Sequence, residues 1–197
     1  PQERESGEHE LASLRAGSVL VGFLRPLDAL DLARGLAAGS VTAFAMELMP
    51  RITRAQSMDA LSSQANIGGY KAVVLAADHC PKMFPMMITA AGTLAPAKVF
   101  VIGAGVAGLQ AIAPAKRLGA VVEAYDVRPE GKEQVQSLGA RFVELAMESH
   151  ESEAEGGYVV EQTEADRRKQ SAMMSRHVIG ADVVITTAAV FGKGPPL

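Results

Sequence analysis

The clearest hydrophobic pattern lies from residue 98 onward, where short apolar runs alternate with longer segments of helical spacing. The runs predict strands at 98–102, 121–126, 141–145 and 182–188, and the segments between them predict helices at 105–118, about 130–138 and about 159–178. Alternating strands and helices imply right-handed crossovers and a parallel sheet. The pattern therefore predicts an α/β fold, with four strands of a Rossmann-type doubly wound sheet of order 3-2-1-4-5-6.

An earlier strand-helix-strand pattern occupies 18–24, 27–38 and 41–46. Two strands and one helix bury too little apolar surface to stand alone. Residues 1–46 are therefore expected to be the C-terminal part of a truncated first α/β domain.

The remaining boundaries follow from composition. Residues 47–82 are expected to be an interdomain crossing and a connecting helix from Met58 to Ala77, interrupted at Gly68 and Gly69. Residues 83–197 are expected to be an NAD-binding Rossmann domain that is truncated after its fourth strand. The chain is thus predicted to be a fragment of a longer two-domain protein.

The strand at 98–102 runs into three glycines, Gly103, Gly105 and Gly108. In a dinucleotide-binding turn the first glycine permits the bend, the second admits a pyrophosphate to the helix N-terminus, and the third brings the helix close to the sheet. The motif alone is weak, but here it stands between a strand and a helix. A doubly wound domain for S-adenosylmethionine or FAD remains the alternative.

Asp126 ends the next apolar run, 23 residues after the first glycine. A carboxylate there can accept hydrogen bonds from the adenosine ribose diol and would repel a ribose phosphate, which favours NAD over NADP. Arg128 complicates this preference, because an arginine two positions later could pair with a phosphate, stack on the adenine or lie in solvent.

Composition removes several classes of function. The 197 residues are 48% hydrophobic and carry a net charge of -3 with both signs interspersed, so the chain should be globular and has no basic face for a nucleic acid. Its single cysteine, Cys80, excludes an internal disulfide framework. The four histidines show no metal-ligand spacing. The uncharged run 99–115 is too short and glycine-rich for a transmembrane helix.

A polar cluster precedes the predicted connecting helix. If the segment from Met58 is helical, Asp59, Ser62 and Asn66 share one face. From the residues alone, Asp59 is best interpreted as a cap or dipole partner of that helix, and Arg51 as a surface charge.

The segment from Ala45 to Asn66, which contains the run Arg-Ala-Gln-Ser-Met-Asp, resembles the NAD(H)-binding first domain of proton-translocating NAD(P) transhydrogenases, the alpha subunit in bacteria. The resemblance continues through the glycine turn, Asp126-Val-Arg128, Gly156-Gly-Tyr158 and Ile185-Thr-Thr-Ala188, and covers nearly the whole chain. The related alanine dehydrogenases share the two-domain plan and the glycine turn. They are not expected to carry the Arg-Ala-Gln-Ser-Met-Asp run or the Gly-Gly-Tyr loop.

This resemblance implies a cofactor role for the polar cluster as well as for the turn, and no catalytic acid or base. The implied NAD(H)-binding residues are Arg51, Ile52, Thr53, Gln56, Asp59, Ser62, Gly103, Gly105, Val106, Gly108, Asp126, Val127, Arg128, Gly157, Tyr158, Gln170 and Ala189. Gln56 and Ser62 would orient the nicotinamide end, and Tyr158 would lie on a loop that closes over the cofactor.

The implied reaction is hydride transfer between NADH here and NADP⁺ on a partner domain, coupled to proton passage through a separate membrane domain. The resemblance also implies a homodimer and a peripheral position on the cytoplasmic side of the bacterial inner membrane. Two other functions stay open. The chain could belong to an alanine dehydrogenase-like NAD-dependent amino-acid dehydrogenase, or it could be a non-enzymatic NAD-binding module.

Overall fold

A computed structural model of the chain describes residues 10–50, 52–128, 130–144 and 164–188. The chain divides into two compact units, Pro1–Gln64 and Ala65–Leu197. The three-part division expected from the sequence stays a prediction.

The first unit contains a short parallel strand pair. After a 3₁₀ turn at Glu10–Ser13, strand β1 (Val19–Gly22), helix α1 (Leu30–Ala38) and strand β2 (Thr42–Ala45) follow in order. Val19 pairs with Thr42 and Gly22 with Ala45. The predicted strand-helix-strand order is confirmed, although α1 begins three residues later than its apolar spacing suggested. Two 3₁₀ segments, Met46–Leu48 and Thr53–Met58, lead onward.

Helix α2 (Ala60–His79) runs without a break through both of its adjacent glycines. The predicted interruption at Gly68 and Gly69 is therefore wrong. A Cβ on Gly69 would overlap the carbonyl oxygen of Ala107, whereas one on Gly68 would meet nothing within 4 Å. Gly69 thus serves a close approach between two segments of the second unit, which outweighs the low helix propensity of glycine.

A small antiparallel hairpin follows α2 and was not predicted from the sequence. Strand β3 (Met87–Thr89) pairs with strand β4 (Gly92–Leu94), and all six residues are exposed. Their apolar side chains do not alternate with polar ones, so the pattern that marks a half-buried strand is missing.

The second unit is built on a four-stranded parallel sheet. Its strands are β5 (Lys98–Ile102), β6 (Val121–Tyr125), β7 (Arg141–Phe142) and β8 (Val183–Thr186), joined through helices α3 (Val106–Arg117), α4 (Gly131–Ser137) and α5 (Glu164–Gly180). The strands lie in the order β7-β6-β5-β8. Numbered by their sequence within this sheet, that order is 3-2-1-4, so the predicted Rossmann-type α/β fold is confirmed.

The core of the second unit lies against the central strand β5. Val99, Phe100 and Val101 are each at most 1% exposed. Helix α3 contributes Ala111, Ile112 and Ala115 to the same cluster, and α4 contributes Val135. A strand buried on both faces is what a continuous apolar run indicates in a parallel sheet. This core holds the carboxyl ends of β5 and β6 side by side, where the candidate site lies.

Candidate functional site

The glycine turn leaves the central strand at its carboxyl end. Gly103 follows β5 directly and has φ +100°, a conformation that side-chain-bearing residues rarely adopt. Gly105 then stands at the N-cap position of α3. The backbone N–H groups of the first helical turn have no partner within the helix and point toward this end. The turn therefore provides the donor groups of an anion-binding helix N-terminus.

The other two glycines differ in what surrounds them. A Cβ on Gly108 would overlap the carbonyl oxygen of Gly103 and lie 2.9 Å from the hydroxyl of Thr187, so the third glycine lets α3 pack against the turn. A Cβ on Gly105 would meet only a guanidinium nitrogen of Arg128, at 3.8 Å. The backbone at Gly105 is therefore open to a group approaching from outside.

Asp126 follows β6 directly, and its carboxylate receives four hydrogen bonds. The backbone N–H of Ala104 donates to Oδ2 at 2.6 Å, and the backbone N–H of Arg128 donates to Oδ1 at 2.8 Å. The Arg128 guanidinium donates through Nε to Oδ1 at 3.1 Å and through Nη2 to Oδ2 at 3.2 Å. The carboxylate therefore ties the end of β6 to the glycine turn.

Electrostatics agree with this geometry. Burial raises the pKa of Asp126, but the hydrogen bonds from Arg128 and Ala104 outweigh it and hold the pKa below its ordinary value. The hydrogen bond to Asp126 likewise raises the pKa of Arg128. Asp126 is thus anionic at neutral pH, the state in which a carboxylate accepts hydrogen bonds from a ribose diol.

The polar cluster of the first unit surrounds the start of α2. Asp59 Oδ1 accepts from the backbone N–H of Ser62 at 2.9 Å, and Oδ2 accepts from the Ser62 hydroxyl at 2.7 Å. These are the bonds of an N-cap residue, so the capping interpretation made from the residues alone is confirmed. Ile52, Thr53 and Gln56 are exposed on or beside the preceding 3₁₀ segment.

The structure thus groups the predicted site residues within each unit. In the second unit, Gly103, Gly105, Val106, Gly108, Asp126, Val127 and Arg128 lie at the carboxyl ends of β5 and β6 and at the start of α3. Gln170 is placed on α5 by its backbone. Arg51, Gly157, Tyr158 and Ala189 lie outside the described residues.

Two further residues shape the turn and were missed by the sequence reasoning. The Thr187 hydroxyl donates to the carbonyl oxygen of Gly103 at 3.0 Å, which fixes the turn from the neighbouring strand β8. A Cβ on Gly131 would lie 3.2 Å from the Cβ of Ala104 and 3.3 Å from that of Asp126, so α4 approaches the carboxylate closely. A hydroxyl residue directly after a strand that neighbours the turn was the available signal for Thr187.

A second polar cluster lies under α5, away from the turn. Glu123 on β6 forms ion pairs with Arg141 on β7 and with His177 on α5, and the His177 ring stacks on Phe100 at 5.5 Å between centroids. These residues, with Lys98 and Arg176, line a shallow cleft of about 170 Å³. The contacts join α5 to the sheet, which gives this cluster a structural role.

Parallel strands in this order, with a glycine turn after the central strand and an acid after its neighbour, define a Rossmann-type α/β domain. The family models for alanine dehydrogenase/PNT match the chain with their N-terminal domain over residues 3–68 and their C-terminal domain over residues 72–197. The chain belongs to the alanine dehydrogenase/PNT family.

Individual relatives point to the transhydrogenase side of this family. The first of the separate alpha-subunit polypeptides of NAD(P) transhydrogenase from Rhodospirillum rubrum is 50% identical over 198 residues, which cover 100% of this chain and 52% of that protein. The protein of the same name from Rickettsia prowazekii is 49% identical over 188 residues, covering 95% of this chain and 49% of that protein. The chain spans about half the length of these curated relatives.

Solved structures give the same result. The crystal structure of transhydrogenase from Sinorhizobium meliloti superposes with a TM-score of 0.80 at 49% identity, covering 95% of this chain and 50% of that one. An L-alanine dehydrogenase superposes with a TM-score of 0.54 at 23% identity, covering 68% of this chain and 38% of that one, which shows a shared fold alone. The predicted transhydrogenase resemblance is confirmed.

Membrane and metal features can be assessed only over the described ranges. There, no helix is both long and apolar enough to span a bilayer. Over the same ranges, no three His, Cys, Asp or Glu side chains converge on a point where a metal ion could be held.

Proposed function

We propose that this chain is the NAD(H)-binding part of a proton-translocating transhydrogenase, which passes hydride between NADH and NADP⁺ held on a partner domain. The observation that carries the proposal is the glycine turn beside the anionic Asp126, in a chain half identical to relatives named as the NAD(P) transhydrogenase alpha subunit. The anion-binding helix end and the carboxylate meet at one edge of the sheet, as dinucleotide recognition requires.

The residues of the second unit fit an NAD molecule. The backbone at Gly105 and Val106 would receive the pyrophosphate, because the first turn of α3 presents N–H groups and a Cβ at Gly105 would have room. Asp126 would accept hydrogen bonds from the ribose diol, with Val127 and Arg128 beside the adenosine. The buried anionic carboxylate favours NAD over NADP, because a ribose phosphate would be repelled.

The remaining contacts rest on the transhydrogenase resemblance. Gln56 and Ser62 would orient the nicotinamide, and Asp59 would support them from the start of α2, where its hydrogen bonds fix Ser62. The other proposed contacts are Arg51, Ile52, Thr53, Gly157, Tyr158, Gln170 and Ala189.

The bound dihydronicotinamide would supply the hydride, which leaves its C4 with both bonding electrons. This chain would bind the cofactor, fix its orientation and exclude water. Such a transfer depends on close alignment of donor and acceptor, so no protein acid or base is needed. Gln56 and Ser62 would contribute by holding the ring in place.

Assembly follows from this reaction. NADP(H) and the proton pathway would belong to partner domains or subunits, with this chain peripheral on the cytoplasmic side of the bacterial inner membrane. We also expect a homodimer. The hairpin β3–β4, with Ile88 80% exposed beside Met87, supports a contact there, because large exposed apolar patches mark interaction surfaces.

The test uses the chain at its full natural length with its NADP-binding partner. NADH deuterated at the transferred C4 position should bind to the chain alone, and its deuterium should appear on C4 of NADPH only after the partner and NADP⁺ are added. Consumption of NADH that depends instead on pyruvate and ammonia would assign the chain to amino-acid dehydrogenation. Tight NADH binding without any transfer would indicate a non-enzymatic module.

Matched variants separate the cap from the cofactor contact. Asp59→Asn keeps a good N-cap, so stability should hold, whereas Asp59→Ala should lose about 1 kcal/mol in chemical unfolding. The double variant with Gln56→Asn and Asp59→Asn should therefore lower hydride transfer while the fold is retained. Unchanged transfer in that variant would contradict the proposed role of this segment.

A further inference from the structure

The Arg128 side chain occupies the acceptor positions of Asp126 that a ribose would need. Each carboxylate oxygen already accepts one backbone N–H, from Ala104 or from Arg128 itself. The guanidinium then adds one further hydrogen bond to each oxygen, at 3.1 and 3.2 Å. With two donors on each oxygen, the carboxylate has little capacity left for another pair of hydroxyl groups.

The guanidinium and a ribose diol would engage the carboxylate in the same way. A guanidinium donates two parallel N–H bonds to the two oxygens of a carboxylate. The 2′- and 3′-hydroxyls of a ribose are likewise two neighbouring donors on one rigid frame. The backbone bonds from Ala104 and Arg128 can persist when a diol binds, whereas the two guanidinium bonds cannot.

The position of Arg128 relative to the glycine turn extends this overlap. Its Nη2 atom lies 3.8 Å from the point where a Cβ on Gly105 would stand, on the open side of the turn. A nucleotide that bound with its pyrophosphate at Gly105 and its ribose at Asp126 would therefore meet the guanidinium at both ends of the adenosine diphosphate.

The Arg128 side chain can leave this position at low cost. It is 62% exposed, whereas the Asp126 side chain is 6% exposed. An ion pair with one partner in solvent contributes little to stability, so the arginine can rotate away while the buried carboxylate stays. The mobile member of the pair is therefore the cation.

We propose that Arg128 stands in for the ribose diol in the nucleotide-free protein and competes with the incoming adenosine for Asp126, which sets the affinity and diol specificity of the adenosine subsite. This inference rests on the proposed NAD(H) site and gives Arg128 a further role in it. A nucleoside with both hydroxyls replaces the two guanidinium bonds, but a nucleoside without them cannot.

The experiment measures binding of two uncharged probes, adenosine and 2′,3′-dideoxyadenosine, to the full chain by calorimetry or NMR titration. The Arg128→Met variant keeps an apolar stem for stacking on adenine but cannot bond to the carboxylate. It should bind adenosine about two- to five-fold more tightly than the unaltered chain, the range expected when an exposed ion pair no longer competes. Dideoxyadenosine should bind equally to both forms.

Ionic strength gives a second measurement that needs no variant. Added salt screens the Asp126–Arg128 pair, so adenosine should bind the unaltered chain more tightly as salt rises. The Arg128→Met variant should show no such trend. The Arg128→Lys variant, which keeps the charge without the two-pronged geometry, should lie between them.

Each result decides a different point. Weaker or unchanged adenosine binding in Arg128→Met, with no salt trend in the unaltered chain, would overturn the competition while leaving NAD(H) binding intact. If no form of the chain bound adenosine or NADH, the proposed function itself would fail together with this inference. Should the methionine variant not fold, the salt trend and the lysine variant still decide.

Discussion

The two units of the chain contain the same strand-helix-strand motif in different surroundings. In the second unit, β5 and β6 pair in parallel across α3, and Phe100 on β5 is 1% exposed. In the first unit, β1 and β2 pair in parallel across α1, but Val19 is 64% exposed and Phe44 is 56% exposed. Similar apolar strands are therefore core in one unit and surface in the other.

The difference shows that the motif alone does not make a core. In the second unit, β7 and β8 extend the sheet on both sides, and α3 packs its Ala111 and Ile112 against it. In the first unit, the described residues form a two-stranded sheet, and α1 buries Leu36. Parallel strands gain their stability from cover on both faces, so equal sequence patterns can carry unequal energies.

The largest expected effect tests this difference directly. Phe100→Ala removes a fully buried aromatic side chain from β5 and should lower the free energy of unfolding by about 3–5 kcal/mol. Phe44→Ala, the matched change on β2, should cost less than about 1 kcal/mol, because more than half of that side chain already meets solvent. Since the chain has no tryptophan, urea unfolding followed by circular dichroism is the measurement. Equal losses would mean that β2 is covered as well as β5.

A smaller effect is expected at two neighbouring glycines of α2. Gly69→Ala should destabilise the second unit by about 1–3 kcal/mol, because the new Cβ would overlap the backbone of Ala107. Gly68→Ala adds its Cβ to open space and should stabilise the helix by about 0.5–1 kcal/mol. Thermal unfolding of both variants checks the opposite signs. A stabilising Gly69→Ala would show that α2 and α3 are not in close contact at that point.

The sequence predicted the second unit well because its signals are local. Apolar runs such as 98–102 mark strands that are buried on both faces, and the glycines that follow allow only a few conformations. The exposed hairpin at Met87 had no alternating pattern to reveal it. The continuity of α2 at Gly69 depends on a contact with Ala107, a residue distant in sequence, which propensity does not include.

The candidate site divides in the same way. The turn and Asp126 could be predicted because their backbone geometry depends on residue type and spacing. The bonds between Arg128 and Asp126 could not, because a long side chain two positions after a strand can take many rotamers. Asp59 shows the converse, since its cap followed from the helix start alone, whereas its proposed cofactor role needed the family resemblance.

The smallest expected effect concerns the ion pairs of the two units and their dependence on pH. Asp182, just before β8, accepts from Lys82 Nζ at 2.9 Å and from the backbone N–H of Lys98 at 2.7 Å. The Lys82 hydrogen bond, followed by the one from Lys98, lowers the pKa of Asp182 below its ordinary value of 3.8. A lowered folded-state pKa stabilises the fold above the unfolded value, and this contribution disappears as the pH falls through the folded value.

Asp182→Asn should therefore lower stability by less than about 1 kcal/mol at neutral pH, because solvent screens the half-exposed pair. The difference from the unaltered chain should stay constant down to about pH 4 and shrink below it. Asp31→Asn is the control in the first unit, since the pair of Asp31 with Arg34 is almost wholly exposed and should add nothing measurable at neutral pH. Urea unfolding at a series of pH values checks both. A stability difference for Asp182→Asn that grew as the pH fell would show that the charge on Asp182 does not stabilise the junction of β8 with β5.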